Sequence, residues 1–517
     1  MVEVVCLLLL IGAEVGAQTR ADLLIRGGRV VDGTGVPPRV VDVGITGDRI
    51  TFIGDAKQAG IEAKRSIDAN GLIVSPGFID PHSHTFEDLS SPDALRRRNA
   101  PYLAQGVTTV LTGNDGSGPV NVGASLTKWR MAGIGSNAAL YVGFGSVRSA
   151  VLGMSAAAAT PGQVSEMAGM VRRAMQDGAV GMSAGLYYAP QSYASTDEVI
   201  VVALEVAPFG GVYDTHLRDE SSYTIGLLGA ISEALRIGRE ARIAVNISHL
   251  KALGVDVWGK SDSAIALIRA ALAAGQRVTA DQYPYTASGT SIGAALLPRW
   301  AEAGGRDSLK QRFSDPALRV RIVTEMRENL RRRGGAESLL ITERDSRGLA
   351  GKRLQDIAAS RGVGAIDAAI DIIVGGDASV ASFNMNDDDI ARFMKADFTM
   401  TGSDGSDGHP RKYGTFPRKY RMYVKERNVL SLAEFVHRSS QLPAQTFGLK
   451  DRGVLATGAF ADVIVFDEAT YTDRSTYEAP DRLATGVRYA LVNGALAIDG
   501  GELTKALAGR PLRRERD

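Results

Sequence analysis

Four of the six histidines in the chain stand at the ends of apolar, β-branched runs. His82 and His84 close "GFIDPHSH", His216 follows "VYDT", and His249 follows "AVNIS". A carboxylate, Asp404, ends a further run, "DFTMTGSDG". Residues i and i+2 of a strand face the same side, so the His82 and His84 imidazoles can point to one place. Four imidazoles and a carboxylate are a donor set suited to Zn²⁺ or a similar divalent ion. Such an ion lowers the pKa of bound water and polarises an amide carbonyl. Asp404 can take the water proton and return it to a leaving amine, as general base and then acid. No Ser–His or Cys–His nucleophile motif competes, since the one cysteine, Cys6, lies in the leader.

"TTVLTGNDGSG" poses a sharper question at Asp115. Asn114-Asp115-Gly116 is good turn chemistry after a strand, and a carboxylate there can equally enter a metal site. Of the other histidines, His409 falls in the loop after Asp404, and His437 in "AEFVHRSS" reads as a helix-surface residue. Lys251 lies two residues past His249 and faces the same side of that strand end. Tyr188 in "GLYYAP", Tyr283 in "DQYPY" and Arg411 in "HPR" fall in loops of the same kind. Arg218, Asp219 and Glu220 read as a network behind ligands. The charge run Leu330–Arg333 reads as a solvated helix face.

These residues need elements that bring strand ends together. "FIDPHSH", "TTVLTGN", "NAALYVGFGSV", "GAVGMSAGLYY", "GVYDTHLR", "IAVNISHLK", "QRVTADQYPY" and "DFTMTGSDG" are eight strand candidates separated by helical stretches. Eight such repeats argue for an α/β fold of the (β/α)8, TIM-like barrel type, with the site at the C-terminal strand ends. The barrel is expected over residues 74–450, with an insertion near 300–390 over its mouth. Residues 18–73 and 451–517 carry short strands and turns. They are expected to join as one small β-sandwich domain made by both chain ends.

The 517 residues are 44% hydrophobic and 23% charged, an ordinary globular composition. A net charge of +1 offers no basic field for nucleic acid or anionic lipid. One cysteine excludes an intrachain disulfide. Residues 1–17 are expected to be an export signal, with a short apolar run and a Val15-Gly16-Ala17 cleavage site, although Glu3 departs from the usual basic start. The protein is then periplasmic or secreted; without cleavage it is cytoplasmic. No later segment is long enough to span a membrane.

Together "PGFIDPHSH", "THLRDES", "SHLK", "DQYPYTASGT", "HPRKYGTFPR" and "GVLATGAFADVIVFD" resemble the amidohydrolase superfamily, and within it the D-aminoacylase (N-acyl-D-amino-acid deacylase) family. The resemblance covers nearly the whole chain after the leader. It implies one metal position at His82, His84 and Asp404 and a second at His216 and His249. A cysteine in an Asn-Cys-Gly turn completes the second position in that family. This chain has Asp115 there, and a carboxylate can bridge two divalent ions. The resemblance assigns Tyr188, Lys251, Tyr283 and Arg411 to the substrate α-carboxylate, which suits a bidentate Arg beside an ammonium and phenol donors. The activity implied is metal-dependent hydrolysis of N-acyl-D-amino acids, with one or two zinc ions. A D-residue dipeptidase, an amidase for another amide, and an inactive barrel serving as a binding protein remain as alternatives.

Overall fold

The computed structural model describes residues 20–342 and 347–514. The expected export signal and Cys6 lie outside the described residues. The chain enters through β1 (Arg20–Val30), β2 (Arg39–Thr46), β3 (Arg49–Gly54), β4 (Glu62–Asp68) and β5 (Ile73–Pro76). It then passes into runs whose residues are buried on both faces. In β6 (Phe78–Ser83) and β7 (Val107–Thr112) every residue is buried. That is the pattern of parallel strands covered on both sides, and the β-branched "VTTV" of β7 suits it.

The succession continues with β8 (Asn137–Leu140), β9 (Val142–Gly143), β10 (Gly181–Gly185), β11 (Val212–His216), β12 (Ala244–Ile247) and β13 (Val278–Gln282). Strands β8 and β9 are one strand interrupted at Tyr141. Next come β14 (Ala287–Ser291), β15 (Leu339–Ile341) and β16 (Ser379–Phe383), and then β17 (Thr399–Thr401). Parallel pairing runs β6–β7–β8 and β9–β10–β11–β12–β13–β17. The ring closes where Asp404 N–H donates to His82 O at 2.8 Å and His84 N–H donates to Gly405 O at 3.1 Å. This is an eight-stranded (β/α)8 barrel, and its closing seam runs through three of the expected site residues.

Helices cover the outside for ordinary reasons. Pro161–Gln176 starts at a Thr160/Gln163 capping box with proline in its first turn. Gly226–Ala241 buries Leu227, Ala230, Ile231, Ala234, Leu235, Ile237, Gly238 and Ala241, which recur at steps of three and four.

Between β13 and β17 the chain builds a separate layer. β14, β15 and β16 form an antiparallel sheet, with helices packed around a core of its own that includes Ile292, Phe313, Ile322, Met326 and Ile370. The chain ends meet in one sheet: β18 (Val463–Phe466) pairs antiparallel with β5, and β19 (Val487–Val492), β20 (Ala495–Asp499) and β21 (Glu502–Leu503) extend it. A single nine-stranded hydrogen-bonded sheet results, over a core that includes Ile25, Val43, Ile67, Val463 and Leu491. Among the described residues, no helix is long and apolar enough to cross a membrane.

Candidate active site and metal-ligand cluster

The donor side chains leave the barrel at the C-terminal ends of β6, β7, β11, β12 and β17. Three of them sit on backbone with positive φ: Asp115 (+56°), His249 (+37°) and Asp404 (+48°). Asp and His are among the types that tolerate this region, which recurs where a strand end must turn a side chain sharply. Asp115 is therefore a turn residue, and its carboxylate also points into the site. Its Oδ1 lies 3.6 Å from His82 Nε2, 3.5 Å from His249 Nε2 and 3.9 Å from His216 Nδ1. Its Oδ2 lies 3.5 Å from His84 Nε2. Asp404 Oδ1 lies 3.0 Å from His84 Nε2 and 3.5 Å from His82 Nε2.

Two donor groups overlap at Asp115: His82, His84, Asp115 and Asp404, and Asp115, His216 and His249. Within each, the donor atoms lie within 4.8 Å of one another. Both ring nitrogens of His82 and Oδ1 of Asp115 are buried with no hydrogen-bond partner. Buried polar atoms are rarely left so. A divalent cation would satisfy the donors, so the residues fit a metal.

Electrostatics agrees. Burial opposes charge on His82, but Asp115 and Asp404 outweigh it and push the imidazole up to about 10. His249 is likewise opposed by burial and by Lys251, yet Glu220 and Asp404 raise it to about 9. Burial holds His216 down at about 4. Asp115 and Asp404 lie well below the usual carboxylate range. Burial acts against this, and the facing imidazoles, together with Arg411 for Asp404, overcome it.

A polar floor inside the barrel fixes the strand ends. Asp80 accepts from His82 N at 3.1 Å and Ser403 N at 3.0 Å. Asp281 accepts from His249 N at 2.9 Å. Asp214 accepts from Asn246 Nδ2 at 2.8 Å and Asn114 Nδ2 at 3.0 Å. Asn114 thus ties the Asp115 turn to the barrel interior. Such supports set the orientation of ligating groups.

The donors open onto a cavity of about 390 Å³ that Tyr188, Lys251, Tyr283 and Arg411 also line. All the expected site residues are thereby brought together. Arg411 Cζ lies 4.8 Å from the Tyr283 ring centroid, and Lys251 Nζ lies 5.9 Å from it on the same ring. The Tyr283 hydroxyl and Arg411 Nε are buried without partners, which leaves them available to a ligand. Lys251 Nζ is already engaged, 2.5 Å from Glu220 Oε1 and 2.7 Å from His249 Nδ1. Glu220 also lies 3.7 Å from His216 Nε2, so of the three residues read as a network it is the one that touches the donors. Arg218 instead pairs with Glu233, and Asp219 accepts from Ser221 N and Thr224 N in its own turn.

One reading of the sequence is corrected. Arg333 is not on a solvated face: it is 2% exposed and lines the cavity. His437 is half-buried, its Nδ1 2.9 Å from Gly33 O. His409, buried in the loop after Asp404, accepts from Arg411 N–H at Nδ1 and lies 3.2 Å from Ala287 O at Nε2, so it positions the arginine. Tyr187, Tyr223 and Ser288 line the cavity as well; Tyr187 and Ser288 carried no signal beyond the motifs they sit in, and Tyr223 lies outside those motifs.

A closed (β/α)8 barrel with His-x-His on its first strand, single histidines on its fifth and sixth and aspartate on its eighth defines a metal-ligating barrel hydrolase of the amidohydrolase class. The chain belongs to the amidohydrolase family, whose pattern matches residues 65–498. It is 35% identical to a D-aminoacylase of Alcaligenes xylosoxydans xylosoxydans over 521 residues, 95% of this chain and 98% of that one. A solved D-aminoacylase, studied for the role of its binuclear metal centre, superposes with a TM-score of 0.81 at 34% identity, covering 95% of this chain and 100% of that one. N-acyl-D-glutamate deacylase from Bordetella bronchiseptica, solved with zinc and a phosphonate mimic of the tetrahedral intermediate, gives 0.80 at 31% identity over 96% and 100%.

Proposed function

We propose that this protein is a metal-dependent deacylase that hydrolyses N-acyl-D-amino acids to a carboxylate and a free D-amino acid. The observation that carries the reading is the convergence of four imidazoles and the Asp404 carboxylate on Asp115, at the floor of a cavity whose wall holds Arg411 and Tyr283. The overall similarity to deacylases for D-amino-acid substrates supports the choice of substrate.

His82, His84 and Asp404 would hold one zinc ion, and His216 and His249 a second, with Asp115 shared between them. When bound, the metal supplies Lewis-acid polarisation of the amide carbonyl and acidification of water. Asp404 accepts the proton of the attacking water and delivers it to the departing amine nitrogen. Its low pKa keeps it ionised and ready to accept. Arg411 Nε and the Tyr283 hydroxyl bind the substrate α-carboxylate. Tyr188, 4.8 Å ring to ring from His216, adds a phenol to the cavity wall. Lys251 adds positive charge while its bond to Glu220 steadies His249.

The test is acid release from paired N-acetyl-D- and N-acetyl-L-amino acids by the protein as purified, after chelation and after zinc is restored. D-selective release, lost on chelation and regained with zinc, is expected. Release from aryl amides or dipeptides alone would favour the alternative substrates.

A further inference from the structure

Among the described residues, three cationic side chains other than histidine line the cavity, and two of them already face carboxylates. Lys251 Nζ is 2.5 Å from Glu220 Oε1 and Arg411 Nη1 is 2.7 Å from Asp404 Oδ2. Among the described residues, Arg333 has only neutral partners. Its Nε donates to Ala295 O at 3.1 Å, its Nη1 to Ser382 Oγ at 3.3 Å and its Nη2 to Tyr187 Oη at 3.4 Å. With the Asn384 amide turned to satisfy its neighbours, that amide oxygen also accepts from Nη1 at 3.2 Å. Arg333 makes no ion pair among the described residues, yet it is 2% exposed. Another buried arginine, Arg148, has Glu198 at 2.9 Å.

A buried charge without a counter-ion is costly, and the cost is relieved by whatever anion enters. Aromatic faces flank the site: Arg333 Cζ lies 5.9 Å from the centroid of Tyr223. Tyr223 also lines the cavity, and its hydroxyl is buried without a partner. A guanidinium fork whose terminal nitrogens make three long, neutral contacts, with a phenol donor beside it, matches a carboxylate. The α-carboxylate has its own partners in Arg411 and Tyr283, so this position is left for a second anionic group.

We propose that Arg333, with Tyr223, forms a second anion subsite that selects N-acyl-D-amino acids bearing another carboxylate, on the side chain or on the acyl group. The inference rests on the deacylase reading above. A charge-assisted contact of this kind should raise kcat/KM for the diacid about 10- to 100-fold over its neutral isostere.

Wild type and Arg333→Met are assayed on N-acetyl-D-glutamate against N-acetyl-D-glutamine, and on N-succinyl-D-leucine against N-acetyl-D-leucine. Preference in the first pair places the carboxylate on the side chain, and preference in the second places it on the acyl group. Arg333→Met should abolish the preference and leave the neutral substrates near wild type, and Arg333→Lys should keep part of it. No wild-type preference in either pair overturns the subsite and needs no variant to be seen. So does an equal loss on diacid and neutral substrates in Arg333→Met. If no N-acyl-D-amino acid is cleaved at all, the deacylase reading fails and calorimetry with glutarate and butyrate decides the subsite. Tighter binding of glutarate that Arg333→Met removes supports it, and equal binding overturns it.

Discussion

Asp404 joins the donor cluster to Arg411: Oδ1 lies 3.0 Å from His84 Nε2 and Oδ2 lies 2.7 Å from Arg411 Nη1. The group assigned to carry the proton is thus tied to the group assigned to grip the substrate. Asn in place of Asp404 keeps the shape but cannot carry a proton. Asp404→Asn should lower turnover about 10²- to 10⁴-fold or more. Metal content measured on the same sample separates loss of the proton carrier from loss of a ligand. Near-normal turnover with full metal would place the proton transfer elsewhere.

The same pairing gives Arg411→Met two effects. Loss of the substrate contact should weaken binding of carboxylate-bearing substrates by about 1.5–3 kcal/mol and spare a neutral amide analogue. Loss of the guanidinium should also raise the Asp404 pKa, because Arg411 is one of the groups holding it down. A base with a raised pKa is lost to protonation at higher pH, so the acidic limb of the kcat/KM profile should move up. Equal losses on both substrates with an unmoved acidic limb would mean that Arg411 only holds structure.

Much of this was legible in the sequence. Parallel barrel strands are short apolar runs, and a histidine at the end of such a run stands out against it. Asp115 was legible only as a choice, since Asn-Asp-Gly serves a turn and a ligand equally well; at φ +56° it turns the chain, and its carboxylate faces the four imidazoles. Arg333 was misread because charge runs on helices are ordinarily solvated. The helix Pro316–Arg332 ends one residue earlier, and Gly334 and Gly335, both at φ +94°, turn the chain so that Arg333 enters the cavity wall. No local pattern encodes that. The engagement of Lys251 by Glu220 is likewise a contact between two strand-end loops that spacing alone does not reveal.

Metal uptake should release protons. In the metal-free site His82 is raised to about 10 and His249 to about 9, so both are protonated at pH 7. Ligation needs neutral imidazole, so binding at pH 7 should displace protons and affinity should fall as pH falls. Calorimetry in buffers of different ionisation enthalpy reads the proton count. These two histidines have folded pKa values above the unfolded value of about 6.5. Their contribution to metal-free stability is therefore full below that value and is lost as pH rises through 9 to 10. Metal-loaded protein should lack this loss, and identical pH–stability curves for the two forms would contradict the assignment.

Gly289 marks how closely Arg411 is packed. A Cβ built there would lie 2.6 Å from Arg411 Nη2. Gly289→Ala should fold and bind metal normally while raising KM for carboxylate substrates, because the displaced guanidinium no longer meets the α-carboxylate. Unchanged kinetics would show that the guanidinium can shift without consequence.

Asp115 is assigned here as a shared metal ligand as well as a turn residue. Asn tolerates positive φ and turns as readily as Asp, so Asp115→Asn leaves the backbone alone and removes only the charge. Asp115→Cys should retain a metal site with its preference shifted toward softer zinc. The most direct measurement is metal stoichiometry and turnover of wild type and Asp115→Asn, purified side by side. Lower metal content or affinity and a near-complete loss of activity are expected in the variant, with the fold intact by circular dichroism. Matching metal content and matching turnover would contradict the assignment and leave Asp115 as a turn residue alone.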